Sequence, residues 1–202
     1  MRVVAVALAA LAGFVDAIGF IASGGFFVSF MSGNSTRLGI GILTSRDAAF
    51  LAIGLILSFV AGVTLASLVR GRREGAQWIV LLLAGLALAV AAALHRFLPT
   101  PVVLPIVALA MGAENVVFAG KGQVVALTYM TGTLVRVGQQ LAEAIGGGDR
   151  WGWVPFALMW CGLIAGGALG TWAALTIGLD ALWLAAATAI AVATALRRLQ
   201  PA

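Results

Sequence analysis

FMSGNSTRLG, residues 30–39, and YMTGTLVRVG, residues 129–138, are two versions of one pattern, and their relation decides how the chain is read. Four of the ten positions are identical and two more are conservative. The match between Arg37 and Arg136, and between Ser32 and Thr131, is informative because polar residues are scarce around them. The same offset of 99 residues sets Ala9 and Gly13 on Ala108 and Gly112, and Asp16 on Asn115. Farther along, an offset of 104 sets Ser58, Gly62 and Ala66 on Gly162, Gly166 and Gly170. These last are small-xxx-small stripes, which let helix backbones approach closely in lipid.

The composition explains the scarcity. Of 202 residues, 62% are hydrophobic and 9% are charged, with 26 glycines; the mean hydropathy is +1.11. A soluble domain carries about 25% charged residues to cover its core, so this chain needs the bilayer as its solvent over most of its length. The net charge of +5 is dispersed among apolar blocks without basic-aromatic clusters, which argues against nucleic-acid binding. The single cysteine, Cys161, gives no disulfide framework. The apolar start, MRVVAVALAALAGFVDA, takes part in the repeat and is read as a span, not a cleaved leader.

About 20 apolar residues cross a hydrocarbon core, which predicts spans near 3–22, 50–69, 77–95, 101–120, 153–176 and 179–196. The segments 32–45 and 131–146 are helix-like but polar, and only about 21–24 Å long as helices. Read as re-entrant, they leave six spans. Arg2, Arg70, Arg72, Arg73, Lys121, Arg150, Arg197 and Arg198 then share the side of both termini, against Arg46 and Arg96 opposite. Eight spans would divide the same residues six to four, a poorer positive-inside asymmetry. Six spans therefore place both termini in the cytoplasm. Trp78, Trp151, Trp153 and Trp183 fall near span ends, as an aromatic belt does; His95 and Arg96 are read as interfacial, with snorkelling side chains.

A three-span unit ends on the side opposite its start. The second copy, 101–202, is thus inverted relative to the first, 1–98. The expected fold is an all-α integral membrane protein: six transmembrane helices in two inverted three-helix repeats, each with a re-entrant or broken half-helix, forming one membrane domain. Transporters and channels recur in this architecture, with polar sites near the midplane where broken segments meet.

Charged groups inside a span cost on the order of 3 kcal/mol, so each needs a partner or a purpose. Asp16 lies mid-span with Gly13 and Gly19 on its face, a narrow face suited to packing. Asn115 takes its place in the second copy, and Glu114 adds a carboxyl beside it. Ser32, Asn34 and Ser35 in one half-helix, and Thr131 and Thr133 in the other, are placed to cap helix starts whose free N–H groups favour anions. Phe30 and Tyr129 precede them as walls. Arg37 and Arg136 follow one turn in. The candidate pathway is Asp16, Ser32, Asn34, Arg37, Glu114, Asn115, Thr131, Thr133 and Arg136. The alternative is that both arginines pair with Asp16 and Glu114 as buried salt bridges fixing helix register, and that the hydroxyls only cap. Asn34 lacks an equivalent amide in the second copy, an asymmetry that hints at function. The GKG at 120–122 lacks the flanking residues of a phosphate loop.

The segments GFVDAIGF (13–20), FFVSFMSGNSTRLG (26–39), MGAENVVF (111–118) and TYMTGTLVRVG (128–138) resemble the YoaK-like family of bacterial multi-pass membrane proteins, a family of unknown function. The resemblance spans essentially the whole chain, most specifically at the two [ST]-G-[NT] segments. It implies an integral inner-membrane protein with about six spans. It carries over no activity and no catalytic residue.

Two functions follow as expectations. The first is a secondary transporter or channel for a small polar or anionic solute bound at the paired half-helices, with Asp16 or Glu114 coupling protons because burial disfavours the charged form. The second is a non-transporting scaffold or accessory subunit, its charges structural and its small-residue faces mediating assembly, including a homo-oligomer. An enzyme is not expected: no GxSG or HExxH occurs, and no acidic cluster offers a metal site. No cofactor is implied.

Overall fold

The computed structural model describes residues 2–71, 75–117 and 130–199, with the side chain of Arg2 outside that description. All regular structure among the described residues is helical. Helices α1 (Arg2–Ser23), α2 (Met31–Thr44), α3 (Arg46–Arg70) and α4 (Gln77–Leu94) form the first half. The second half holds α5 (Thr100–Glu114), α6 (Met130–Ile145), α7 (Val154–Ile177), a 3-10 turn at Gly178–Ala181, and α8 (Leu182–Leu199). Arg72, Arg73, Lys121, Tyr129 and the GKG segment lie outside the described residues.

Four apolar helical stretches are long enough to cross a bilayer: Val3–Ser23, Arg46–Arg70, Gln77–Leu94 and Val154–Leu199. The last holds both α7 and α8, parted by the 3-10 turn that begins at Gly178, whose φ is 60°. Helix α5 is shorter than expected. It starts after Pro99, ends at Glu114 and continues as a turn through Val117, while residues 118–120 of the expected span are outside the described residues.

Helices α1 and α7 pack together, as do α3 with α5 and α4 with α8, so each major pair joins one half of the chain to the other. Missing Cβ atoms make two of these pairs close. A side chain at Gly13 would strike the carbonyl of Leu163, and one at Gly112 the carbonyl of Phe59. Gly166 likewise meets the carbonyl of Ala10, and Gly62 that of Leu109. The two members of each set are related by the offsets of 99 and 104 residues found in the sequence. Close backbone approach through small residues is how helices associate where lipid removes the hydrophobic drive. The outer faces are apolar: Leu43, Leu68 and Leu175 are exposed, an arrangement that suits lipid and not water.

Helices α2 and α3 meet at a corner of one residue. Ser45 is extended, its hydroxyl accepts from the Ala48 N–H at 3.3 Å, and Asp47 complements the positive end of α3. Gly41 is buried against the backbone of Ala49, which lets α2 fold back along the start of α3. At the far end of α3, Arg70 donates to the carbonyl of Val116 at 2.7 Å and secures the turn after α5. Arg70 thus has a bonding role in addition to the topological one read from the sequence.

Candidate functional site

Helix α1 ends at Ser23, and there the chain doubles back. The Ser23 hydroxyl donates to the Gly19 carbonyl at 2.7 Å and accepts from the Phe26 N–H at 2.8 Å. Gly24 and Gly25 have φ of 68° and 123°, a reversal that a side chain would oppose. The returning segment 26–30 runs alongside α1 down to Asp16. Asp16 Oδ1 accepts from the N–H groups of Val28 and Ser29 at 2.8 and 2.7 Å, and Oδ2 accepts from the Ser29 hydroxyl at 2.5 Å. Asp16 precedes Ser23 by about 10 Å of helix, so the segment that leads into α2 lies beside the body of α1 and not beyond its end. Gly19, expected on a helix-packing face, takes the Val28 side chain instead.

Asn34 holds the same segment from the other side. It is fully buried; its Oδ1 accepts from the Phe27 N–H at 2.9 Å and its Nδ2 donates to the Phe27 carbonyl at 2.6 Å. One amide therefore satisfies both backbone polar groups of Phe27, a residue outside the helices. This gives the asymmetric Asn34 a definite role in shaping the segment.

The capping expected of Ser32, Asn34 and Ser35 is not what they do. Phe30 is the N-cap of α2, without a side-chain cap bond, because the helix already begins at Met31. Ser32 is exposed on the first turn, and Ser35 donates back to the carbonyl of Met31 at 2.9 Å. Thr131 and Thr133 lie in the first turn of α6, Thr131 exposed.

The salt bridges of the alternative reading are absent among the described residues. The guanidinium of Arg37 lies over Gly25, with the rings of Phe20 and Phe26 centred 5.8 and 5.2 Å away. Arg136 is exposed on α6. Asp16 is already met by neutral donors close in sequence, while aromatic faces hold the Arg37 cation. The described ion pairs lie elsewhere: Asp180 in the 3-10 turn meets His95 at 2.9 Å and Arg96 at 3.0 Å. His95 and Arg96, expected only at the interface, thus tie the end of α4 to the turn before α8.

A cavity of about 500 Å³ opens between α1, the returning segment, the start of α6 and α7. Asp16 and Ser29 supply polar groups; Phe27, Phe30 and Trp160 supply aromatic walls; Thr131 borders it from α6. The entries to both short helices thus reach one cavity, through Phe30 on one side and Met130 and Thr131 on the other. Of the nine predicted residues, Asp16 and Thr131 line it, while Asn34 fixes the backbone of Phe27, which does. Ser32, Arg37, Glu114, Asn115, Thr133 and Arg136 are not in the lining. Ser29 and Trp160 were missed. For Ser29 a signal existed, since it is the one hydroxyl in the apolar run FFVSF.

Glu114 is buried at the end of α5, and neither carboxyl oxygen has a hydrogen-bond partner among the described residues. It lies within electrostatic reach of Asp16. Asn115 beside it is buried and donates to the Met111 carbonyl at 2.8 Å.

A family model described as "Protein of unknown function (DUF1275)" matches residues 4–195, a range that takes in the cavity and both short helices. The chain belongs to the DUF1275 family. Among its relatives, UPF0700 transmembrane protein RA0705 of Rhizobium meliloti (strain 1021) is 36% identical over 196 residues, covering 94% of this chain and 83% of that one. UPF0700 transmembrane protein YoaK of Bacillus subtilis (strain 168) is 29% identical over 133 residues, 61% of this chain and 59% of that protein. The resemblance carried by GFVDAIGF and the two [ST]-G-[NT] segments is thereby established at family level. No solved structure matches this DUF1275 chain. Its relatives' names and its own apolar helices agree on a membrane protein.

Proposed function

We propose that this DUF1275 protein is a secondary transporter or channel for a small solute in the bacterial inner membrane, with the solute held in the cavity at Asp16. The observation that carries this reading is a pair of carboxyls in one bundle. Asp16 lines the cavity, and Glu114 is buried nearby with neither oxygen partnered among the described residues. An ionised carboxyl buried without donors costs several kcal/mol, a cost relieved when a proton or a cation is bound. Asp16 and Glu114 are then the sites where proton movement couples to solute movement. The anionic solute expected from Arg37 and Arg136 loses its rationale, since neither borders the cavity; a polar or cationic solute suits a wall that carries Asp16.

The same reading takes the bundle as six spans in two inverted halves, with both termini cytoplasmic. Its support is the reciprocity of the contacts at Gly13 and Gly112, and at Gly166 and Gly62. Further support comes from the return of segment 26–30 to mid-α1 depth, as a re-entrant half-helix requires. No catalytic role is part of it.

The scaffold reading is favoured by one observation: Asp16 is bonded on both oxygens and anchors a turn. Flux decides. Protein reconstituted in liposomes should transport at least one of a panel of cationic, neutral and anionic small solutes. Asp16→Asn and Glu114→Gln should abolish that flux while helicity is retained. A panel giving neither flux nor binding overturns transport and leaves the scaffold.

A further inference from the structure

We infer that the cavity is built for a hydrophobic organic cation, an ammonium carrying aryl or alkyl groups. The inference rests on the transport reading for its purpose, but it concerns binding and is tested apart from flux.

Three features of the cavity point the same way. The first is aromatic surface on two sides. Phe27 meets Phe20 in a tilted contact at 4.9 Å and Phe30 edge-on at 5.2 Å, forming a continuous wall, and Trp160 of α7 stands in the same lining. Aromatic faces attract cations, quaternary ammonium groups above all, because the ring quadrupole is negative over its face.

The second is the carboxyl of Asp16, which a bound cation would hold in its ionised form. Its described donors are two N–H groups and a hydroxyl, which are neutral, and no described cation lies within ion-pair distance. Hydrogen bonds from neutral groups position a carboxylate without cancelling its charge. Oδ2 accepts one described hydrogen bond and retains capacity for another contact. A cation seated among the rings would supply the counter-charge without displacing Ser29. Arg37 is turned toward Gly25, Phe26 and the ring of Phe20 and is not in the lining, which leaves Phe27, Phe30 and Trp160 as the rings open to a bound cation.

The third is size and character. About 500 Å³ lies within the range of small-molecule sites, which are mostly apolar with a few placed polar groups. Asp16, Ser29 and Thr131 fill that second role here. An acyl chain would satisfy the apolar walls but would leave the charge of Asp16 unanswered.

The test is a comparison of isosteres on the full chain in lipid nanodiscs. Benzyltrimethylammonium, its uncharged carbon counterpart neopentylbenzene, and benzenesulfonate share a phenyl body and differ in charge. Titration calorimetry should show the ammonium binding at least ~10-fold more tightly than neopentylbenzene, with benzenesulfonate weakest, as a desolvated cation–π contact plus a carboxylate predicts. Asp16→Asn should remove most of that preference. Trp160→Leu, which leaves the Asp16 turn intact, should weaken the ammonium ~5-fold or more and the hydrocarbon little. That second variant keeps the test open should Asp16→Asn fail to fold. Equal affinity for ammonium and hydrocarbon, or tighter binding of the sulfonate, overturns the inference. Flux of a neutral or anionic solute without ammonium binding sinks this inference and leaves transport standing. Ammonium binding without flux of any solute does the reverse.

Discussion

In the first half of the chain, the carboxyl of Asp16 meets two N–H groups and a hydroxyl delivered by a segment only 12 and 13 residues downstream. In the second half, Glu114 is more fully buried but has no described donor, and Asn115 stands where the repeat would put a carboxylate. The contrast separates two uses of buried charge. Asp16 organises backbone: it fixes where segment 26–30 lies and therefore where α2 begins. Glu114 organises nothing that is described, so its burial is a cost without a visible structural return. A group of that kind is where function is first sought.

Substitutions can break this contrast. The largest effect is expected from Asp16→Ala, which strands two N–H groups and a hydroxyl without their acceptor; a loss of about 3 kcal/mol of unfolding free energy is anticipated, read by unfolding in mixed micelles. A loss no greater than that of a surface substitution would mean that Asp16 does not anchor the turn. Asn34→Ala should cost less, about 1–2 kcal/mol, since it removes two neutral hydrogen bonds to Phe27. It should also raise hydrogen exchange at the Phe27 amide, and unchanged protection there would contradict the clamp. Glu114→Gln should be mildest for stability, under about 1 kcal/mol, because no described hydrogen bond is lost. A large destabilisation would show that Glu114 is structural after all and would erase its difference from Asp16.

Much of the fold was legible because membrane chains advertise it. Long apolar runs found α1, α3, α4, α7 and α8, and the polar interruptions found α2 and α6. Small residues at fixed offsets foretold the close contacts of Gly13, Gly62, Gly112 and Gly166, since only residues without bulk allow one backbone to press on another's carbonyl. The candidate site was legible in part. Asp16 and Thr131 were found because charge and hydroxyls stand out in apolar sequence, but Ser29, Phe27 and Trp160 blended into it. The alternative pairing of Arg37 with a carboxylate failed because opposite charges along a sequence say nothing of distance. The turn at Gly24 and Gly25 brings the aromatic rings, not Asp16, to the guanidinium.

The sequence by itself determined the solvent, the helices and the scarcity that made a few polar residues conspicuous, because hydropathy and glycine spacing are local properties. Only the tertiary structure decided which of those residues share a cavity, and that among the described residues Asp16 is bonded while Glu114 is not. Those depend on how a reversed segment and four helices meet, and hydrogen bonds reach about 3 Å regardless of how far apart the residues stand in the chain.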